Sequence, residues 1–184
     1  MKKVLFTVVL LLCVTVAVNA QSGQMAVGGG IVVAMPMGDF GDEAGMGFGA
    51  TVRGEYALNK QMSIVADIGY ITYGEEELFN ISYSYSQIPI MAGVKYYFNN
   101  GFYGIGQLGI HMFSFDMDVP SETYMGITVG GGSSSSSTSE FGLNIGGGYE
   151  AKVGNMILDL SAQYGMISDA NQLLLRAGLK FPLK

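Results

Sequence analysis

The most regular feature of this sequence is an alternation of apolar residues with polar or small residues, with a period of two. Residues 158–164 are typical and read Leu-Asp-Leu-Ser-Ala-Gln-Tyr. This period is characteristic of a β-strand with one apolar face. Eight such segments occur in order, around residues 27–35, 48–56, 64–70, 87–96, 102–112, 141–150, 158–164 and 173–181. The pattern therefore predicts an all-β fold of eight antiparallel strands.

The connections between these segments alternate in length. The second and third, fourth and fifth, and sixth and seventh segments are joined by the short turn sequences LNKQ, NNG and KVGN. The other connections include residues 37–45, residues 74–86 and roughly twenty residues between Asp116 and Thr138. Transmembrane barrels have short periplasmic turns and longer extracellular loops. The alternation predicts an up-and-down barrel with both termini on the periplasmic side.

The composition indicates whether the outer surface of such a barrel contacts water or lipid. The chain is 49% hydrophobic and 13% charged, whereas a soluble domain carries about a quarter charged residues. Beyond the first twenty residues, no uninterrupted apolar run is long enough for a membrane helix. Only helices and closed barrels satisfy every backbone group in lipid. We therefore predict an eight-stranded antiparallel up-and-down transmembrane β-barrel.

The first twenty residues have a different pattern. Two lysines precede an apolar run from Val4 to Val18, and Ala20 ends a sequence suited to a signal peptidase. We interpret residues 1–20 as a signal peptide and residues 21–184 as the barrel domain. Cleavage would remove Cys13, the single cysteine, so no disulfide is expected in the exported chain.

Aromatic residues on the apolar parity are expected to form two girdles at the membrane interfaces. Five of them lie beside the short turns and four near the long connections. The first group is Tyr56, Tyr96, Phe102, Tyr149 and Phe181, and the second is Phe48, Tyr70, Phe141 and Tyr164.

Charged residues of the eight segments fall on the opposite parity, which would face the lumen. Four are basic and four are acidic: Arg53, Lys95, Arg176, Lys180, Glu55, Asp67, Glu150 and Asp159. Buried charges require partners, so we expect an ion-pair network that fills a narrow lumen. The turn LNKQ places Arg53 opposite Asp67, and Asp159 is expected close to opposite Lys180. An ion or proton path is the functional alternative.

Several stretches resemble the small outer-membrane β-barrel family that includes outer-membrane protein X and the transmembrane domain of outer-membrane protein A. They are IVVAMPMGDFGD, GYITYG, IPIMAGVKYYF, FYGIGQLGIH and FGLNIGGGYE. The final segment is similar to the family's assembly signal through Arg176, Gly178, Phe181 and Leu183, although it ends on Lys184 instead of an aromatic residue. The resemblance implies recognition by the barrel assembly machinery and a place in the bacterial outer membrane, in contact with lipid and lipopolysaccharide.

The long connections are acidic and contain no lysine or arginine. Their carboxylates could hold divalent cations that bridge lipopolysaccharide phosphates, but solvated surface charge is the default explanation for them. They are Asp39, Asp42, Glu43, Glu75, Glu76, Glu77, Asp116, Asp118 and Glu122. The run GGGSSSSSTS at residues 130–139 is interpreted as a flexible loop tip.

We expect a structural or surface-interaction role, in envelope integrity or adhesion, without enzymatic activity, cofactor or metal. The acidic balance argues against nucleic acid as a partner, and a monomer is expected. One alternative is a lipid A-modifying enzyme using His111, the single histidine, with Ser114 and Asp116, although Ser114 falls on the opposite face of an extended strand. A soluble lipocalin-like ligand-binding barrel is a second alternative.

Overall fold

A computed structural model describes residues 23–74, 76–78, 81–98, 100–124, 127–168 and 170–183. The predicted signal peptide lies outside the described residues. The elements are β1 (Met25–Pro36), α1 (Asp39–Glu43), β2 (Gly47–Ala57), β3 (Met62–Tyr73), β4 (Glu76–Leu78), β5 (Ile81–Tyr97), β6 (Phe102–Tyr124), β7 (Ile127–Val153), β8 (Met156–Ile167) and β9 (Gln172–Leu183). Within these ranges no helix has the length and apolar character needed to cross a membrane.

Eight of the strands form a closed antiparallel barrel, as the sequence predicts. Each strand pairs with its neighbours in chain order, β1 pairs with β9, and β3 pairs with β5. The additional strand β4 is three residues long and pairs with β5 alone among the described residues. Closure gives the backbone groups of the wall partners on both sides, which is the requirement for a strand structure in lipid.

The three short connections share one end of the barrel, here named the turn end. In the first of them the Asn59 side chain accepts hydrogen bonds from the backbone N–H groups of Gln61 and Met62, at 2.8 and 2.9 Å, which fixes a tight turn. In the second turn Asn100 and Gly101 adopt positive φ angles of 64° and 87°. These conformations explain why asparagine and glycine occupy the turns.

Side chains alternate between the two faces of the wall as the period of two predicts. Large apolar residues such as Leu108 and Phe141 point outward and are 52% and 64% exposed. Charged residues such as Lys95 point inward and are fully buried. A lipocalin-like barrel requires the reverse arrangement, an apolar interior and a polar exterior, so that alternative is wrong.

Three strands continue far beyond the rest of the wall. The β6–β7 ladder keeps one register from Phe102 opposite Tyr149 to Tyr124 opposite Ile127, and β6 alone, at 23 residues, spans roughly 75 Å. We name the projecting part the ribbon: β4 with residues 81–86 of β5, residues 113–124 of β6 and residues 127–141 of β7. The opposite end from the turns is the ribbon end.

The ribbon corrects the sequence interpretation of two connections. Residues 130–139, GGGSSSSSTS, belong to β7 and are not a flexible loop tip, because their backbone pairs with β6 residue by residue. Most of the segment between Asp116 and Thr138 is therefore strand. Likewise, β5 begins at Ile81, inside the predicted connection 74–86.

The connection 37–45 contains a short helix that the sequence pattern does not predict. Helix α1 has five residues and follows Gly38, whose φ of 65° turns the chain back over the barrel. Phe40 of this helix is 8% exposed and packs into the ribbon end of the lumen. The helix is therefore held by the burial of one aromatic side chain and not by its length.

The inward and outward parity can be tested on one strand. Leu108 and Asp116 share the outward parity of β6, but Asp116 lies within the ribbon. We expect Leu108→Arg to destabilise the barrel by about 2–4 kcal/mol, because its charge would lie near the centre of the bilayer. Asp116→Arg should cost less than about 0.5 kcal/mol, because its side chain is exposed. Denaturant unfolding in lipid vesicles measures both, and equal costs would contradict the assignment.

Candidate functional site in the lumen and at its mouth

The lumen contains all eight charged residues that the sequence assigns to it. Their ion pairs join β2, β3, β5, β7, β8 and β9 across the barrel. We name this set the lumen charge network: Arg53, Glu55, Asp67, Lys95, Glu150, Asp159, Arg176 and Lys180.

Arg53 and Asp159 are the centre of the network. The Arg53 guanidinium donates to both oxygens of Asp67 at 2.7 and 2.8 Å and to Asp159 Oδ2 at 3.0 Å. Asp159 also accepts from Lys95 at 3.0 Å and from Arg176 at 3.2 Å. Arg53 and Asp67 are direct neighbours in the β2–β3 ladder, the register that the turn length predicts. The bidentate geometry is the strongest form of such a pair.

A second group of charges lies nearer the turn end. Lys95 and Lys180 each donate to Glu150 Oε1 at 2.7 Å. Both lysines also reach Glu55 Oε2, at 3.3 Å from Lys95 and 2.8 Å from Lys180. The Tyr97 hydroxyl donates to Glu55 at 2.6 Å. Each glutamate in this group bonds both lysines. Because two lysines face two glutamates, their formal charges cancel.

One predicted pair is wrong. Lys180 lies opposite Ile157 in the β8–β9 ladder, whereas Asp159 lies opposite Gly178. The two charged residues therefore lie on the same face but are offset by two residues along the ladder. Lys180 bonds Glu55 and Glu150, while Asp159 bonds cations higher in the lumen.

Space for large lumen side chains comes from glycines directly opposite them on the adjacent strand. A Cβ atom at Gly28 of β1 would lie 2.7 Å from the Cβ of Lys180. At Gly148 of β7, it would overlap the Tyr103 ring, whose hydroxyl donates to Asp159. These glycines allow close approach inside a lumen that is only wide enough for side chains.

Three uncharged members of this network were not predicted from the sequence. Tyr97, Tyr103 and Gln107 each donate to a network carboxylate, with Gln107 Nε2 at 2.6 Å from Asp67. Their odd numbers on β5 and β6 share the lumen parity of Lys95. That parity is the signal that could have identified them.

A neutral polar layer follows toward the ribbon end. The Tyr73 hydroxyl lies 2.5 Å from Gln87 Oε1 and 2.6 Å from Gln172 Oε1. Gln87 Nε2 lies 2.6 Å from His111 Nδ1. Between this layer and the charges lies an interior cavity of about 40 Å³, comparable to the volume of one or two water molecules. The lumen is therefore packed with side chains at both levels.

His111 does not form the catalytic group that the enzyme alternative requires. Its ring is fully buried and bonds Gln87. Ser114 and Asp116 lie on the outward parity of the same strand, and Asp116 is exposed. The three side chains do not converge on one position.

Aromatic side chains close the lumen at the ribbon end. Phe40 of α1 contacts Tyr73, Tyr85 and Phe113, with ring centroids 5.4, 6.4 and 5.9 Å apart. Above them a cavity of about 320 Å³ opens between the ribbon and the last connection of the barrel. We name it the mouth pocket. Its lining is Phe40, Tyr85, Phe113, Ser114, Phe115, Ser136, Thr138, Glu140, Ser168 and Ala170.

The predicted girdle residues lie on the outer surface. Eight are exposed, and Tyr56 is partly exposed. Phe98, which the sequence analysis omits, is 60% exposed and contacts Tyr96 with ring centroids 5.5 Å apart. It shares the parity of Tyr96, so the pattern contained the signal.

The residues of the suggested assembly signal divide between the two faces of β9. Phe181 and Leu183 point outward and are exposed. Arg176 points into the lumen beside Gly178. Recognition of these residues by an assembly machinery stays a prediction.

The acidic residues suggested for divalent cations are only partly described. Asp39, Asp42 and Asp116 are exposed. Glu75 and the side chains of Glu43, Glu76, Glu77, Asp118 and Glu122 lie outside the described part of the chain. Within that part, no three histidine, cysteine, aspartate or glutamate side chains form a group that could hold a metal ion.

The coupling within the charge network can be measured by a double-mutant cycle. Arg53→Ala and Asp67→Ala should each destabilise the barrel by roughly 3–5 kcal/mol, because each removes one half of the bidentate pair from a buried charge network. The double variant should lose about 1–3 kcal/mol less than the sum. Asp159 remains beside Arg53 in the Asp67→Ala variant, so that single change should be the milder. Additive losses in reversible unfolding would contradict the pairing.

The packed lumen also predicts the electrical behaviour of the purified protein. Two layers of side chains and the Phe40 cluster lie across the only axis along which ions could pass through the wall of described strands. We expect planar-bilayer recordings to show no sustained porin-sized conductance. Long-lived large openings of the wild-type protein would show that the lumen is not filled as described.

Comparison with solved structures finds the same fold in bacterial surface proteins. Ail, the attachment invasion locus protein of Yersinia pestis, superimposes with a TM-score of 0.64 at 16% identity, over 88% of this chain and 99% of that chain. Neisserial surface protein A gives 0.55 at 16%, over 86% and 97%. OprG of Pseudomonas aeruginosa gives 0.54 at 11%, over 90% and 98%. At these identities the likeness shows the fold alone.

The sequence itself supplies the family. No curated protein matches it significantly. A family model described as outer membrane protein beta-barrel domain matches residues 4–181, nearly the whole chain. Together with the closed barrel and its apolar exterior, this match shows that the chain is a bacterial outer-membrane protein and belongs to the outer membrane β-barrel domain family.

Proposed function

We propose that this barrel is a non-catalytic surface-interaction protein that docks an extended segment of an extracellular partner onto the open edge of its ribbon. The turn end faces the periplasm, because outer-membrane barrels have their short turns on that side. The ribbon then projects from the cell. A role confined to stabilising the envelope would need only the wall, and the ribbon is the feature that supports a surface role.

The observation that carries the proposal is the free edge of β7. Residues 127–141 of β7 pair with β6, but β8 begins to pair with β7 only at Gly142, opposite Ile167. Among the described residues, the upper part of β7 therefore has a strand on one side only. An exposed strand edge presents a row of backbone donors and acceptors to which an extended peptide can add.

The two edges of the ribbon differ in chemistry. At the β4 edge the strand is three residues long and begins with Glu76 and Glu77, features that discourage pairing with another chain. At the β7 edge residues 132–139 contain glycine, serine and threonine, with neither charge nor proline. Ser134 through Thr138 are exposed. The neutral edge is thus the one available for strand addition.

Catalysis receives no support from the lumen, since His111 bonds Gln87 and lies apart from Ser114 and Asp116.

Surface binding has a precedent among proteins of this fold. Ail has been solved in complex with the heparin analogue sucrose octasulfate. In this chain residues 96–151, which include most of the ribbon, contain no lysine or arginine. We therefore do not extend binding of a sulfated polyanion to this protein.

Hydrogen exchange of the ribbon amides tests the proposal. In an antiparallel strand, successive residues direct their N–H groups to opposite edges, so alternate amides of residues 132–139 should exchange quickly. A nine-residue threonine-rich peptide should slow those amides in barrels held in lipid nanodiscs. The same peptide with a central proline is the control, because proline removes a ladder donor.

A proline within β7 supplies the complementary variant. Ser135 and Ser136 are adjacent, so one of their amides faces β6 and the other faces the open edge. Proline at the fast-exchanging position should abolish peptide protection and leave the free energy of unfolding within about 0.5 kcal/mol of wild type. Alanine at the same position should leave binding intact. Unchanged exchange with the peptide present, or equal binding by the proline variant, would refute edge docking.

A further inference from the structure

We infer that the mouth pocket receives a lysine or arginine side chain from the docked segment, so that the partner is an extended peptide with a basic residue. This inference rests on the proposed edge docking and adds the chemistry of the partner. It arises from three features of the ribbon end: the position of the pocket beside β7, its aromatic lining, and the carboxylate of Glu140.

The pocket lies on the face of the sheet to which a docked strand would direct alternate side chains. Ser136, Thr138 and Glu140 of β7 all line it. A strand added to the edge of β7 continues the sheet, so every second side chain points to the same face as these three. The volume of about 320 Å³ is sufficient for one long side chain.

The aromatic wall suits a cation. Phe40, Phe113, Tyr85 and Phe115 line the pocket, and the rings of Tyr85 and Phe115 lie 4.9 Å apart at a tilt of 47°. Aromatic faces attract ammonium and guanidinium groups, and the alkyl stems of lysine and arginine pack on the same rings.

Glu140 supplies the opposite charge on the β7 wall. Its carboxylate is half-buried and accepts a hydrogen bond of 3.3 Å from the Thr138 hydroxyl. Within the described residues it forms no ion pair. The charged side chains described around the ribbon end, Asp39, Asp42 and Asp116, are all acidic. A carboxylate beside aromatic rings, in a field of one sign, selects a basic group and disfavours an acidic one.

One lysine in the lumen is already bound by an aromatic ring together with a carboxylate. Lys95 lies 4.1 Å from the Tyr103 ring centroid and 2.7 Å from Glu150. That combination of ring and carboxylate already holds a lysine inside the barrel. The mouth pocket repeats the combination at the ribbon end, where residues 96–151 provide no basic side chain of their own.

A matched pair of peptides tests the inference. Two threonine-rich nine-residue peptides would differ only in having arginine or its neutral isostere citrulline at the centre. We expect the arginine peptide to bind the nanodisc-embedded barrel at least tenfold more tightly, on the basis of a cation–π contact and a charge-assisted hydrogen bond. A central glutamate should bind more weakly than citrulline.

The site variants separate the pocket from the general acidic field. Glu140→Gln keeps the shape of the side chain and should reduce the arginine preference to less than threefold. Asp116→Asn removes the same charge from the opposite face of the ribbon and should retain the preference. Phe115→Leu should weaken arginine binding and leave citrulline binding nearly unchanged. Equal losses in Glu140→Gln and Asp116→Asn would overturn the pocket in favour of diffuse attraction.

Failure of the pocket and failure of edge docking give different results. If both peptides protect the β7 edge amides with equal affinity, edge docking stands and the basic-residue inference is wrong. If neither peptide protects those amides, the proposed docking is wrong. In that case N-acetylarginine methylamide, compared with its citrulline counterpart, probes the pocket alone through the amide resonances of residues 113–115 and 138–140. Equal shifts from the two compounds would overturn the pocket as well.

Discussion

Backbone hydrogen bonding in a medium without water is the constraint on which the rest of this structure depends. A strand in hydrocarbon cannot leave one edge unpaired, so the wall must close, and β1 pairs with β9 over its whole length. Closure with eight strands fixes a narrow lumen. Beyond Gly142, β7 continues in the ribbon paired with β6 but, among the described residues, with its other edge open. An open edge of this kind is tolerated only where water can hydrogen-bond the backbone.

A narrow lumen determines how charges can be accommodated. A single buried pair must satisfy all of its partners locally, whereas this network shares each group among several: Asp159 accepts from Arg53, Lys95 and Arg176. Sharing compensates for the loss of hydration, which exceeds the gain from one isolated pair. It also links six of the eight barrel strands, so a change in register anywhere would separate several ion pairs at once.

The sequence predicts those features that depend on neighbouring strands. The tight turn after Ala57 determines the register of β2 and β3 and therefore the Arg53–Asp67 pair. Arg53 and Asp159, by contrast, are 106 residues apart and meet across the lumen, and the turn geometry carries no information about that distance.

The Asp159–Lys180 pair failed because the connection between β8 and β9 does not fix the register to within two residues. Phe40 was missed because five helical residues have no measurable period, and its position depends on the cavity it fills. The GGGSSSSSTS run was misread because composition suggested a linker, whereas the register of β6 and β7 continues through it.

The distribution of charge along the barrel axis determines what the surface can recognise. Four of the basic residues are in the lumen network, paired with carboxylates, and Lys60 and Lys152 lie at the turn end. Among the described residues, no lysine or arginine therefore balances the acidic side chains of the ribbon end. Ail shares the fold at 16% identity, yet a shared barrel places no demand on the chemistry of its loops, because the wall is stabilised by backbone pairing and lumen packing. The fold thus specifies the closed wall, whereas the residues of this chain's ribbon, above all Glu140 and the aromatic rings beside it, determine the charge that the proposed partner would carry.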